Sequence, residues 1–180
     1  MQTAIPALFM RGGTSSGPFF AAADLPPDIE WRDRVLLAAM GSPDRRQIDG
    51  LGGANPLTSK VGIISAGSEP GVDVDFLFAQ VVVERAFVDT KPNCGNMLAA
   101  VVPYALETGL LEPQGDTTTA RVLTRNTGMQ CDITVLTPGG RVRYDGESVI
   151  RWKSADEGWQ ALEAEEYKDC RWAIVRRPEE

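Results

Sequence analysis

Cys94 stands between two asparagines in "KPNCGNM", beside Gly95 and at the head of the most apolar segment of the chain. A thiol at a helix N-terminus meets the helix dipole and unpaired N–H groups, which favour the thiolate, and the same N–H groups can hold a carboxylate. Gly95 lets a ligand approach the backbone closely, while Asn93 and Asn96 add amide donors and acceptors. The competing reading is a structural thiol, because free cysteine is among the most buried residue types. Lys60 ends the polar stretch "GLGGANPLTSK", where an apolar strand pattern begins. Desolvated, its amine would supply a positive charge or an acid/base group; most lysines in such a pattern are simply solvated.

A third cluster is "RGGTSSG" at 11–17. Arg11 for a carboxylate, the N–H groups of Gly12 and Gly13, and the hydroxyls of Thr14, Ser15 and Ser16 would make an anion cradle. A plain hairpin turn fits the spacing nearly as well. Gly52, Gly53 and Ser59, which lead into Lys60, stand with these as substrate-binding candidates. Neither G-x-x-x-x-G-K-[ST] nor G-x-G-x-x-G occurs, so no nucleotide-phosphate loop is indicated. The chain has no histidine, and its cysteines at 94, 131 and 170 form no C-x-x-C pair. Metal sites and Ser-His or Cys-His machinery are therefore not expected.

These residues sit in 180 residues of ordinary globular composition, 43% hydrophobic and 24% charged. A net charge of −7, with no basic run interleaved with aromatics, gives nucleic-acid binding no electrostatic support. A local cleft of Arg, Lys and N–H groups could still take an anionic metabolite. No apolar run approaches the ~20 residues of a membrane helix, and the start lacks a basic n-region, so a cytoplasmic protein is expected.

The positioning elements follow from periodicity. "IPALFM" (5–10) predicts a first strand, "RGGTSSG" a turn, and "PFF" a second short strand. A helix is expected over 28–41, capped by Asp28 and ended by Gly41, with Ile29, Leu36, Leu37 and Met40 on one face. Residues 42–57 read as a loop of functional length, running into a strand at 58–66. Val72, Val74, Phe76 and Phe78 alternate with Asp73, Asp75 and Leu77, the period of a half-buried strand. Further strands are expected within 120–137 and 141–144, turned by "NTG" and "PGG". Between Asn93 and Leu111 an almost wholly apolar run predicts a buried helix, bent at Pro103. The whole predicts an α+β domain, a curved sheet or open barrel wrapped on a central helix.

From Ser148 onward 14 of 33 residues are charged and three of the four tryptophans cluster. No strand rhythm carries over; a short helix at 155–168 and a strand at 171–176 are the local readings.

Together, "MRGGTSSGPFF", "GSPDRRQIDGLGGANPLTSKVGII", "VDVDFLFAQVVV" and "NCGNMLAAVVPYALETGLL" closely resemble the family of 4-oxalomesaconate tautomerases and 2-methylaconitate isomerases, over about residues 4–147. The resemblance implies a diaminopimelate-epimerase-like fold of two similar domains, each a curved, mostly antiparallel sheet around a helix, with the active site between them. It implies a 1,3-proton shift beside carboxylates of a small tricarboxylate or dicarboxylate, without cofactor or metal. It also places Lys60 of "TSK" and Cys94 of "NCGN" as the proton-transfer pair, with the base between them unassigned. Two departures stand out. The family commonly carries lysine where this chain has Ser16, so one charge available to a carboxylate is lost. Members also continue into a second domain, whereas 148–180 does not resemble theirs.

The expectation is a family-like domain at 1–147 and a divergent tail at 148–180, in a truncated or frameshifted relative that is completed by self-association or a second domain from another chain. Family-like sequence in another downstream reading frame would support it. The reading from a different class is a catalytically silent domain that binds carboxylates or a partner protein.

Overall fold

The computed structural model describes residues 3–145 and, for the backbone alone, 149–154 and 158–161. Nine strands among the described residues make one sheet: β1 (Leu8–Gly12), β2 (Ser15–Ala21), β3 (Lys60–Ala66), β4 (Val74–Val81), β5 (Val88–Asp89), β6 (Thr117–Thr124), β7 (Met129–Leu136), β8 (Val149–Ser154) and β9 (Gly158–Ala161). They run in the order β1-β2-β3-β4-β6-β7-β8-β9, with β5 paired to β4 off this path. Only β2–β3 and β4–β6 are parallel; the other pairs are antiparallel. Each parallel pair needs a crossover, and the crossovers carry the helices. α1 (Ile29–Met40) lies between β2 and β3, while α2 (Gly95–Leu98) and α3 (Val101–Glu107) lie between β4 and β6.

The two crossovers bury opposite faces of the sheet. Phe19, Ile64, Val74, Phe76, Phe78, Val122 and Ile133 pack with α2 and α3 in an inner core. Phe20, Val61, Ile63, Ala79 and Val81 pack with Leu36 and Met40 of α1 in an outer core. The alternation thus holds from Val74 to Phe78, with Val72 and Asp73 lying ahead of the strand, and the segment beyond it is apolar on both faces because both are covered. α1 starts at Asp28, whose Oδ1 accepts from Trp31 N–H at 3.0 Å, and stops at Gly41 with φ of 76°. Only its second half meets the sheet, so Ile29 is 65% exposed rather than buried with Leu36.

Four local expectations are corrected. The first strand begins at Leu8 and runs to Gly12, and the turn shrinks to Gly13 and Thr14, Gly13 taking the positive φ (52°) that tight hairpins demand. The long helix is broken at Ala99 and Ala100, not bent at Pro103. Pro103 is the third residue of α3, where an N–H has no partner within the helix, so its missing donor is tolerated. Residues 141–144 form no strand; Arg143 N–H makes a single bond to Leu136 O at 2.9 Å. The sheet also continues past Ser148, since β8 pairs with β7 and β9 with β8. Residues 158–161 are therefore strand rather than helix, and the rest of the helix expected at 155–168, like the strand expected at 171–176, lies outside the described residues. No helix among the described residues is long and apolar enough to cross a membrane.

Cys131 of β7 is fully buried, and burial, with Asp132 adding to it, pushes its thiol up to about 12 from an ordinary 9.0. Burial, then Asp24, likewise raises Tyr104 to about 12 from 10.0. Both groups are neutral in the fold and ionise more readily when unfolded. Their contribution is complete below about pH 9 and is lost as pH climbs toward 12. Melting temperatures are expected to fall across that window and to fall less steeply in Cys131→Val; an identical alkaline decline in the variant would contradict this.

Candidate active site

Lys60 is the first residue of β3, and by strand alternation its side chain shares the inner face with Ile64. Cys94 is the N-cap residue of α2, packed against the same inner core. The fold brings them together across 34 positions: Lys60 Nζ donates to Cys94 Sγ at 3.6 Å. Lys60 is only 9% exposed, and a buried ammonium needs partners. It has them in Gln80 Oε1 at 3.1 Å and the face of Phe78, 4.8 Å from the ring centroid.

The hairpin supplies the neighbouring wall. Ser15 Oγ lies 4.0 Å from Cys94 Sγ, and Asn96 Nδ2 donates to Thr14 Oγ1 at 2.9 Å and Ser15 Oγ at 3.4 Å. A Cβ at Gly12 would collide with the carbonyl of Asn96, and one at Gly13 with its side-chain oxygen. The motif glycines therefore let α2 press against the hairpin, placing Cys94 beside Ser15. Gly95 and Thr14 are exposed and Cys94 is partly so, which leaves the pair reachable from solvent at an open edge.

Other expected binding residues are positioned elsewhere. Arg11 and Ser16 are register partners, and the alternation that turns Met10 and Phe19 inward turns them to the outer face; Arg11 donates to Gly13 O at 3.4 Å. The N–H groups of Gly52 and Gly53 are bonded to Met40 O and Thr58 O. Ser59 Oγ donates to Val81 O at 2.8 Å and accepts from Gln47 Nε2 at 2.8 Å. Asn93 Nδ2 donates to Thr127 Oγ1 at 2.7 Å, tying the approach to α2 onto the β6–β7 turn. Ser59 and Asn93 thus brace the chain next to Lys60 and Cys94 and frame the site.

Two framing residues carry no motif. Gln47, 1% exposed, bonds Ser42, Ser59 and the Ala54 N–H, and so gathers the 42–57 loop onto the start of β3. Gln80 is the one amide in the apolar run "FLFAQVVV", a signal that was visible in the sequence. Among the described residues no three His, Cys, Asp or Glu side chains converge as metal ligands would. A cavity of about 590 Å³ lies at the opposite end of β3, beside Ile64, Ser65 and Tyr104.

A 4-oxalomesaconate tautomerase of Pseudomonas putida is 56% identical over 149 residues, 83% of this chain and 41% of that protein. A crystal structure of methylitaconate-delta-isomerase matches with a TM-score of 0.79 at 40% identity, covering 82% of this chain and 41% of that one. A probable proline racemase from Agrobacterium radiobacter K84 shares the fold alone, at 16% identity and a TM-score of 0.53 over 88% of this chain and 48% of its own. The fold is the diaminopimelate-epimerase-like one that the sequence resemblance implies. The chain spans about two fifths of the length of the curated relatives it matches. A family model described as PrpF protein covers residues 2–155, and the chain belongs to the PrpF protein family.

Proposed function

We propose that the chain carries the proton-transfer pair of an isomerase acting on an unsaturated tricarboxylate or dicarboxylate, with 4-oxalomesaconate as the leading substrate and 2-methylaconitate as the alternative of the same class. The observation that supports it most is the 3.6 Å approach of Lys60 Nζ to Cys94 Sγ at an accessible edge. In that contact nitrogen donates and sulfur accepts. Acting as the thiolate, Cys94 takes a proton from the carbon next to an electron-withdrawing carbonyl or carboxylate and becomes the thiol, while the Lys60 ammonium stabilises the enolate-like oxygen that forms. Returning the proton two atoms away completes the shift. No electrons are gained or lost. The hydroxyls of Thr14 and Ser15, which accept from Asn96 Nδ2, and the N–H groups at the start of α2 offer donors to the carboxylates. A second wall, from self-association or a further domain, closes the edge against water.

The test is to incubate the chain with 4-oxalomesaconate in deuterated water and follow uptake and isomer ratio by NMR. Uptake above the buffer rate is expected. A folded chain with no uptake would leave a carboxylate-binding domain as the better reading.

A further inference from the structure

Lys60 and Gln80 are direct register partners across β3 and β4. Such partners hold their Cβ atoms about 4.5–5.5 Å apart, so the two side chains extend together. Gln80 Nε2 donates to Ser59 O at 2.8 Å and Pro56 O at 3.0 Å. Both amide hydrogens are spent on carbonyls, which leaves Oε1 to accept from Lys60 Nζ at 3.1 Å. Turning the amide over would set its oxygen against two carbonyl oxygens and its NH₂ against an ammonium, so the surroundings dictate which end faces Lys60. Of the groups that meet the ammonium, the amide oxygen is the one clamped to backbone on two sides.

We propose that Gln80 is a positioning residue: it aims the Lys60 ammonium at Cys94 and at the substrate's developing negative charge. This rests on the proton-transfer reading of Lys60 and Cys94. A purely structural role, fastening 56–59 to β4, is the competing account, and two substitutions separate them. Gln80→Leu and Gln80→Glu both lose the donors to Pro56 and Ser59, but only the glutamate keeps an oxygen for Lys60.

The first readout needs no substrate. The chain has four lysines, so ¹⁵N-lysine labelling gives few ammonium signals, and the one lost in Lys60→Met is that of Lys60. It is expected to persist under conditions in which exposed Lys91 has exchanged with solvent, to survive in Gln80→Glu, and to vanish in Gln80→Leu. The second readout is deuterium uptake from 4-oxalomesaconate. Gln80→Leu is expected to lower kcat about 100-fold, the scale of a misplaced catalytic group, with KM nearly unchanged, while Gln80→Glu keeps most of the rate.

A Lys60 signal that exchanges as fast as that of Lys91 in the unaltered chain overturns the proposal, and that measurement stands even where a variant fails to fold. So does equal behaviour of the two variants, which is what simple fastening would give. A signal lost only in Gln80→Leu, from a chain that shows no uptake at all, upholds the positioning of Lys60 while overturning the reaction assigned to it.

Discussion

Lys60→Met lowers deuterium uptake from 4-oxalomesaconate by about 10²–10³-fold, the range that one donor to a developing oxyanion contributes. Methionine keeps an unbranched stem over Phe78 and takes away only the charge and its donors. The fold should tolerate the change, because inner-core packing around Phe19, Phe76 and Met97 does not depend on the ammonium. The lost bond to Gln80 costs about 1 kcal/mol, or about 2–4 °C in melting temperature. Cys94→Ser should cause a comparable loss, since a serine hydroxyl gives up its proton far less readily than a cysteine thiol and so does not supply a base. Groups that act as a unit fail together, so the double variant should be little worse than the poorer single one. Uptake rates measured by NMR, with melts alongside, decide it. Either single variant retaining more than about half of the unaltered rate would remove the pair from the mechanism.

What was legible in the sequence is what local chemistry determines. Asp28 and Gly41 marked both ends of α1, because a cap is a contact within one turn. The alternation from Val74 to Phe78 marked a strand, because its inner face is continuous. Lys60 and Cys94 drew notice through their motifs, and the distance between them came only with the fold. Arg11 and Ser16 looked like parts of one cradle with Ser15, yet side-chain alternation sends neighbours to opposite faces; a hairpin shortened to a two-residue turn therefore splits the motif. Gln80 acquires its role from a partner twenty residues away in β3. The break at Ala99 and Ala100 falls in an apolar run that reads as one helix by periodicity, and no residue there announces a stop. Register and tertiary packing made these outcomes.

Gly12→Ala separates the two meanings that the "GG" of the first motif can carry. Read as an anion cradle, Gly12 matters for its N–H, and alanine, which has the same N–H, should weaken substrate binding at most by crowding the ligand. Read from the structure, Gly12 matters because its α-hydrogen faces the carbonyl of Asn96, into which a Cβ would collide. No positive φ is involved, so the cost is overpacking alone. Its neighbours are the backbone of α2 and a paired strand, which cannot rotate aside as a flexible side chain would. About 3 kcal/mol is expected, the upper part of the usual overpacking range, which for a domain of this size is a drop of about 6–12 °C in melting temperature. The same displacement lifts Cys94 from Ser15 and from Lys60, so deuterium uptake should fall with stability even at saturating substrate. Calorimetry on the ligand-free chain is the decisive measurement. A melting temperature unchanged by Gly12→Ala, with only KM raised, would show that the glycine serves the ligand and that the hairpin does not set the position of α2.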